Sequence, residues 1–452
     1  MRSSLLDANF KIWSVPIYSR FQDRRPVWSR CCAFRDSQDS STALHKRDDS
    51  NVMDFAPSFT LDVDPSSLAH APGPTRNYSS FNPSLLVDND SVLVYFRVSN
   101  MHFCGSSASW RENMFLQTHL RSFLGHVKLD RQSWQPLSPA VVLRSATSLF
   151  RSGDACFHRV DLGGGSSGTF SGPEDPRPVW STGTMPRTPW LLVSAWSEDC
   201  TRLRPHLIKL NAAGGGGGGG GGDGGGGVGG GGYDPRQLPL VVSEWPSESN
   251  VEHPESQLLQ KNWVPFSHEG SLLAEYSIEP HVVLRIDPES GRCAPVLPRG
   301  IATSAHGAMG GSEATFPSFT PLARIAAEYG RLSGGVPPLH LPSHHVYLGY
   351  CHTKASRSMP QYLGTSSMVY KHLFYAFEEA PPFAVIAAGP LHTLPEPPSR
   401  AERTLPTVQF AAGMIHDEAT GDLVISYSTM DCGAHLTRVP MESVLRATGL
   451  VW

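Results

Sequence analysis

Three short blocks hold the residue types that could do chemistry. Glu174-Asp175-Pro176-Arg177 sets carboxylates beside a guanidinium. Lys261-Asn262-Trp263-Val264-Pro265-Phe266 and Tyr276-Ser277-Ile278-Glu279-Pro280-His281 follow. Each combines charged or hydrogen-bonding side chains with Pro or aromatic residues at the edge of an apolar run. A hydrophobic core does not need that mixture. A carbohydrate site does, because fixed polar groups read hydroxyls and flat aromatic faces take the ring. An acid held beside an Arg can donate or take a proton; burial raises its pKa and the guanidinium lowers it. Taken alone, an EDPR tetrapeptide is most often a surface turn, and each block is a hypothesis.

Asp175 is the one acid that stands out. Hydrolysis with inversion uses a second carboxylate to activate water, whereas a phosphate nucleophile is already anionic. Glu279 is the nearby second carboxylate, and it reads more readily as a strand-break residue before Pro280. Lys261 and Arg177 could hold an anion together, the Arg as a planar fork and the Lys as a point charge. That anion is inorganic phosphate, a sugar phosphate or a nucleotide diphosphate leaving group. The polyglycine run lacks the Lys-Ser/Thr of a phosphate loop. His268, His281, His306, His352 and His372 lie near motifs, but none pairs at i, i+4 with a Glu base, so no metal is expected. One or two of Trp263, Phe266, Tyr276 and Tyr375 are expected to stack on a sugar ring.

The elements that must position these residues read as strands. Ser91–Val98, Trp190–Trp196, Leu272–Ile278, His281–Ile286, His345–Tyr350 and Leu423–Tyr427 are short, apolar and bounded by turn residues. Helix patterns are confined to Leu322–Leu332 and Met441–Thr448. With 43 Gly and 38 Pro in 452 residues, this points to an all-β sandwich, barrel or propeller. Residues 1–55 are polar and expected to be a disordered extension, leaving 56–452 as one domain. The glycine-rich insertion at 211–232 is expected to be a flexible loop, and 163–173 and 331–344 read as smaller loop expansions.

A formal charge of −4 with no basic cluster argues against nucleic acid as a partner. No run of 18 apolar residues predicts a membrane span, and no continuous apolar stretch near the N-terminus predicts a signal peptide. These readings favour a soluble, cytoplasmic protein; oligomeric state is left open. The 8 cysteines include no C-x-x-C and read as scattered thiols, although an even count permits disulfides.

The blocks also come in a definite order. Phe81-Asn82-Pro83-Ser84 precedes Tyr95-Phe96-Arg97, and EDPR, KNWVPF and YSIEPHVVL follow. His306-Gly307-Ala308-Met309-Gly310-Gly311, Tyr347-Leu348-Gly349-Tyr350-Cys351-His352 and Tyr370-Lys371-His372-Leu373-Phe374-Tyr375 come next. Val408-Gln409-Phe410-Ala411-Ala412-Gly413-Met414 and Ile425-Ser426-Tyr427-Ser428-Thr429-Met430-Asp431 close the series. The series resembles the β-mannoside phosphorylases of glycoside hydrolase family 130 and the related eukaryotic mannosyltransferase/phosphorylase group, glycosyltransferase family 108. The resemblance implies a five-bladed β-propeller with its site at the axial mouth. It implies transfer of β-linked mannosyl groups, with inversion, to or from phosphate or an activated donor. A hydrolase on the same scaffold and a catalytically silent glycan-binding propeller are the alternatives. Carried over by motif, Asp175 is the acid, acting through a sugar hydroxyl. Asn82, Arg97, Arg177, His281 and Asp431 bind sugar, and Lys261, Arg177 and His352 bind phosphate. No cofactor is implied beyond phosphate or a sugar phosphate as co-substrate. Two departures touch the phosphate side: Lys261-Asn262 stands where the bacterial phosphorylases have Lys-Asp, and the next strand lacks their His-Arg pair.

Overall fold

The computed structural model describes residues 53–61, 78–100, 119–143, 160–161, 167–180, 189–196, 202–210, 237–243, 262–296, 320–357, 367–396 and 408–450. The strands form five sheets. The first contains β2 (Ser79–Asp88), β3 (Ser91–Ser99) and β4 (His119–Asp130), with β5 (Val141–Val142), β6 (Val160–Asp161) and β7 (Ser167–Ser171) at its outer edge. The second runs β8 (Glu174–Trp180), β9 (Pro189–Trp196), β10 (Leu203–Lys209), β11 (Gln237–Pro239). The third runs β13 (Val264–His268), β14 (Ser271–Ile278), β15 (His281–Ile286), β16 (Arg292–Pro295), with β12 (Val241–Val242) outermost. The fourth is β17 (Leu332–Leu341), β18 (Val346–Arg357), β19 (Ser367–Glu378), β20 (Val385–Ala388). The fifth is β21 (Gln409–Asp417), β22 (Asp422–Thr429), β23 (Gly433–Pro440), completed by β1 (Phe59–Leu61).

The leading strands β2, β8, β13, β17 and β21 touch in a closed ring, each against the next and β21 against β2. The chain is therefore a five-bladed β-propeller with those strands around its axis. Among the described residues, an apolar cluster lies between each neighbouring pair of blades. Leu93 and Tyr95 meet Leu191 and Val193 between the first two blades, for example. The fifth and first are joined by Val94 and Phe96 against Ile415 and Val424. A blade covered on both faces needs strands apolar on both faces. That is why β3 is buried along its whole length. β1, from the beginning of the chain, pairs with β23 from its end, so the last blade locks the circle non-covalently.

Helix α1 (Ala323–Tyr329) and helix α2 (Met441–Thr448) fall where the helical patterns predicted, although α1 stops three residues early at a left-handed Gly330. Two expected loops are different. Leu332–Leu341, within 331–344, form the innermost strand β17, and part of 163–173 forms β7. The glycines of β17 are spacing devices rather than breakers. A Cβ on Gly334 would stand 2.5 Å from Val264 Cγ2, and one on Gly335 would stand 2.6 Å from Ala411 O. Met53 and Phe55, read as part of the extension, pack into the cluster between the fourth and fifth blades. The remainder of that extension, the glycine insertion, Lys261 and the His306 block lie outside the described residues. Cys293 and Cys351 are buried thiols outside any disulfide, and Cys432 is disulfide-bonded. Among the described residues, no helix is long and apolar enough to cross a membrane.

Candidate active site

Around the ring, strand starts meet strand starts. Asn82 near the start of β2 touches Asp175 of β8, Arg177 touches Asn262 and Gly335, and Gly335 abuts Ala411 of β21. Asn82, Asp175, Arg177 and Asn262 therefore gather where the starts of the axial strands meet. Asn82 (φ 52°), Asp175 (φ 51°) and Asn262 (φ 67°) all adopt the left-handed conformation. Asn and Asp tolerate it better than other side chains, because their short polar groups bond locally. Register shifts accompany the first two, between Phe81 and Ser84 and between Glu174 and Arg177. Such bulges turn a side chain out of the regular pleat. The sequence EDPR is thus a bulged strand start, not a surface turn. Gly172 makes its entry possible: at φ 103°, a Cβ there would lie 1.9 Å from Ser122 O.

Arg97 interrupts the apolar run of β3, and a charge buried in such a strand needs partners. Its Nε donates to Ser122 Oγ at 2.9 Å, and Ser122 Oγ donates to Pro173 O at 2.7 Å. Its two terminal nitrogens lie 3.4 Å from Glu174 Oε1 and 3.7 Å from Asp175 Oδ1. Asn82 Nδ2 donates to the same Asp175 oxygen at 2.6 Å. Ser428 Oγ, at the end of β22, donates in turn to Asn82 Oδ1 at 2.5 Å. Asp175 keeps a side-chain exposure of 10%, enough to meet a ligand.

Arg177 is placed differently from its expected role. It is 1% exposed. Nε donates to Gly335 O at 3.1 Å, Nη1 to the backbone oxygen of Asp175 at 3.2 Å and Nη2 to Asn262 Oδ1 at 3.2 Å. Burial pushes its pKa below the ordinary guanidinium value, and the Asp175 charge pushes it back up. These three bonds tie the second, third and fourth blades together. Arg177 is therefore a strut beneath Asp175. Asn262 serves there as a neutral acceptor.

His352 is buried beside Gly335, stacked on Tyr370 at 5.2 Å and edge-on to Phe410 at 5.3 Å. Lys354 Nζ covers the same Tyr370 ring at 5.2 Å. Asp431 sits at φ 47° in the turn after β22, three positions beyond Ser428. The structure thus brings Asn82, Arg97, Asp175 and Arg177 into one bonded cluster; His352 lies beside Gly335, and Asp431 is in the turn that follows β22.

His281 does not join it. Its Nδ1 lies 2.7 Å from Phe383 O and its Nε2 2.9 Å from Glu275 Oε1, so both nitrogens serve the interface between the third and fourth blades. Tyr375 donates to the same Glu275 oxygen at 2.5 Å. Burial raises that phenol's pKa well above its ordinary value. Trp263, Phe266, Tyr276 and Tyr375, of which one or two were expected to stack on a sugar, are all buried. Trp263 meets Tyr276 edge-on at 5.6 Å inside an interblade cluster. Glu279 bonds Thr320 Oγ1, and burial raises its pKa. The carboxylate that does accompany Asp175 is its neighbour Glu174. Its sequence signal was its place in EDPR. Ser428 and Asn262 were visible within their blocks, but their partners were not. Among the described residues, no group of His, Cys, Asp and Glu could hold a metal ion.

No family model and no curated protein matches the chain. Solved structures do resemble it. A β-1,2-mannobiose phosphorylase from Listeria innocua aligns over 87% of this chain and 99% of its own, at 12% identity and TM-score 0.44. A mannose phosphorylase from Leishmania mexicana, in complex with a phosphate ion, aligns over 81% and 85% at 10% identity and TM-score 0.38. A GDP-Man-dependent mannosyltransferase from Leishmania mexicana aligns over 81% and 86% at 9% identity and TM-score 0.40.

Proposed function

We propose that this propeller transfers β-linked mannosyl groups to or from phosphate or a phosphorylated donor, with inversion. Asp175 is the general acid. The observation that carries the proposal is its setting: a carboxylate at an axial strand start, turned out by a bulge and gripped by Asn82 and Arg97. A buried strand start has no structural need for such a group. Within the ordered motif series, this is the position of the acid. In the phosphorolytic direction the proton passes from Asp175 through a sugar hydroxyl to the glycosidic oxygen while phosphate attacks the anomeric carbon from the other face. In the synthetic direction the acceptor hydroxyl attacks, its proton returns by the same route to Asp175, and the phosphate or nucleotide diphosphate leaves. Asn82, Arg97 and Asp431 are the sugar side. Lys261 and His352 are the anion side, while Arg177 holds the frame.

The test is a product assay. Mannobiose is offered with and without phosphate, and mannose 1-phosphate or GDP-mannose is offered with mannose acceptors. Phosphate-dependent release of mannose 1-phosphate, or mannosyl transfer from either donor, is the expected result. One observation favours a second reading. Glu174 shares Arg97 with Asp175, which supplies the second carboxylate that inverting hydrolysis uses. Rapid cleavage in phosphate-free buffer, abolished by Glu174→Gln, would select it. Inactivity with every donor would select a silent glycan-binding propeller.

A further inference from the structure

We infer that Ser428 is a positioning residue for Asp175, acting by controlling which end of the Asn82 carboxamide faces the acid. The inference rests on the reading of Asp175 as the acid.

Ser428, Asn82 and Asp175 come from the fifth, first and second blades and are all buried. They form one chain of hydrogen bonds. Ser428 Oγ donates to Asn82 Oδ1 at 2.5 Å, and Asn82 Nδ2 donates to Asp175 Oδ1 at 2.6 Å. The two ends of a carboxamide have nearly the same shape, so their order is set by partners. An ionised carboxylate only accepts. Reversing the amide would then place two acceptors 2.6 Å apart. A protonated Asp175 is different. Its O–H can donate to Asn82 Oδ1, provided that Asn82 turns over and its NH2 finds a new acceptor. The Ser428 hydroxyl donates in the first order and accepts in the second. Apart from the proton on Asp175, the two orders contain the same atoms and the same number of hydrogen bonds among these three side chains, with donors and acceptors exchanged. The amide flips, the hydroxyl rotates, and the acid's proton goes through the bridging sugar hydroxyl to the leaving glycosidic oxygen. A general acid passes through both protonation states in each turnover. Ser428 gives Asn82 a partner in both.

The surroundings fit this role. Ser426 lies one strand period before Ser428, on the same face of β22, and donates to Pro83 O at 2.5 Å. Ser84 Oγ donates to Ala412 O at 2.8 Å. These two bonds fix the backbone of the Asn82 bulge. Ser428 is thereby left with the side chain.

The experiment compares Ser428→Ala, Ser428→Thr and Ser426→Ala in the full chain. Ser428→Ala should lower kcat on a β-mannoside about tenfold, the worth of about one hydrogen bond, with KM within twofold of wild type. Ser428→Thr, which keeps the hydroxyl, should recover most of that loss. Ser426→Ala should lower thermal stability more than kcat. A second readout needs no turnover. With asparagine labelled in its side-chain amide, the Asn82 resonances are identified by their loss in Asn82→Ser. In wild type they should shift as Asp175 titrates, and the shift should disappear in Asp175→Asn and change in Ser428→Ala. Ser428→Ala with unchanged kcat and an unchanged Asn82 titration overturns the inference. If wild type turns over no mannoside but Asn82 follows Asp175 through Ser428, the relay stands and the mannoside reading fails.

Discussion

Replacing Arg177 by Lys distinguishes a strut from an anion ligand, because the two roles predict opposite patterns. The guanidinium makes three hydrogen bonds to acceptors on three different segments: Gly335 O, Asp175 O and Asn262 Oδ1. An ammonium is a point donor and cannot span a fork of that width. It keeps at most one or two of the three. Each bond from a charged donor contributes about 1.5–3 kcal/mol, and a buried acceptor left unmet adds its desolvation cost. Loss of two predicts about 3–6 kcal/mol of destabilisation before relaxation. That is a large share of the roughly 5–15 kcal/mol that keeps a domain folded. Asp175 would also lose the tie on its own carbonyl, and a misplacement of about 1 Å can cost about 10²-fold in rate. Urea unfolding and steady-state kinetics on the same preparation measure both effects. Arg177→Lys should be markedly less stable and slow, with no selective rise in KM for phosphate. A variant within about 0.5 kcal/mol of wild type, whose defect is a phosphate KM raised about tenfold, would refute the strut.

Asp175→Asn should keep the fold and lower turnover by about 10²–10⁴-fold, since the amide keeps the shape but cannot supply the proton; wild-type rates in a discontinuous product assay would exclude it as the acid. Gly349→Ala should lower the melting temperature by an amount corresponding to about 1–3 kcal/mol, because a Cβ there would stand 2.3 Å from Tyr375 Cζ and force apart the ring that reaches Glu275; an unchanged melting curve would show that the ring yields freely. Acid should unfold the protein early. Burial lowers the pKa of His126, His206 and His392 to about 4 and that of His372 to about 3. These groups stay neutral in the folded chain while the unfolded chain takes up protons below about 6.5, so stability falls as pH drops, by about 1 kcal/mol per group for each unit. A melting temperature constant from pH 6.5 to 4.5 would contradict this.

The local chemistry of the sequence determined much of the outcome. Short Val-, Leu- and Tyr-rich runs between turn residues specified strands, and both helices were legible from their periodicity. Arg97 was singled out only through the resemblance, although a guanidinium inside an apolar run requires partners wherever the chain folds. Tertiary structure decided the partners. Residues 331–344 read as a loop because Gly and Pro lower strand propensity, yet Gly334 and Gly335 are what allow β17 to pass between Val264 and Ala411. Aromatic residues at strand ends looked available to a sugar, but each blade is covered on both faces, so Trp263 and Tyr375 became core. Arg177 and Arg97 look alike in a sequence. Around the ring, Arg177 meets neutral acceptors from three segments and becomes a strut, whereas Arg97 meets Glu174 and Asp175 and becomes part of the charged site. Ser428 lies 346 positions from Asn82, and no local pattern joins them. Only closure of the fifth blade against the first brings the hydroxyl to the amide, because propensity acts over a few residues and the ring acts over the whole chain.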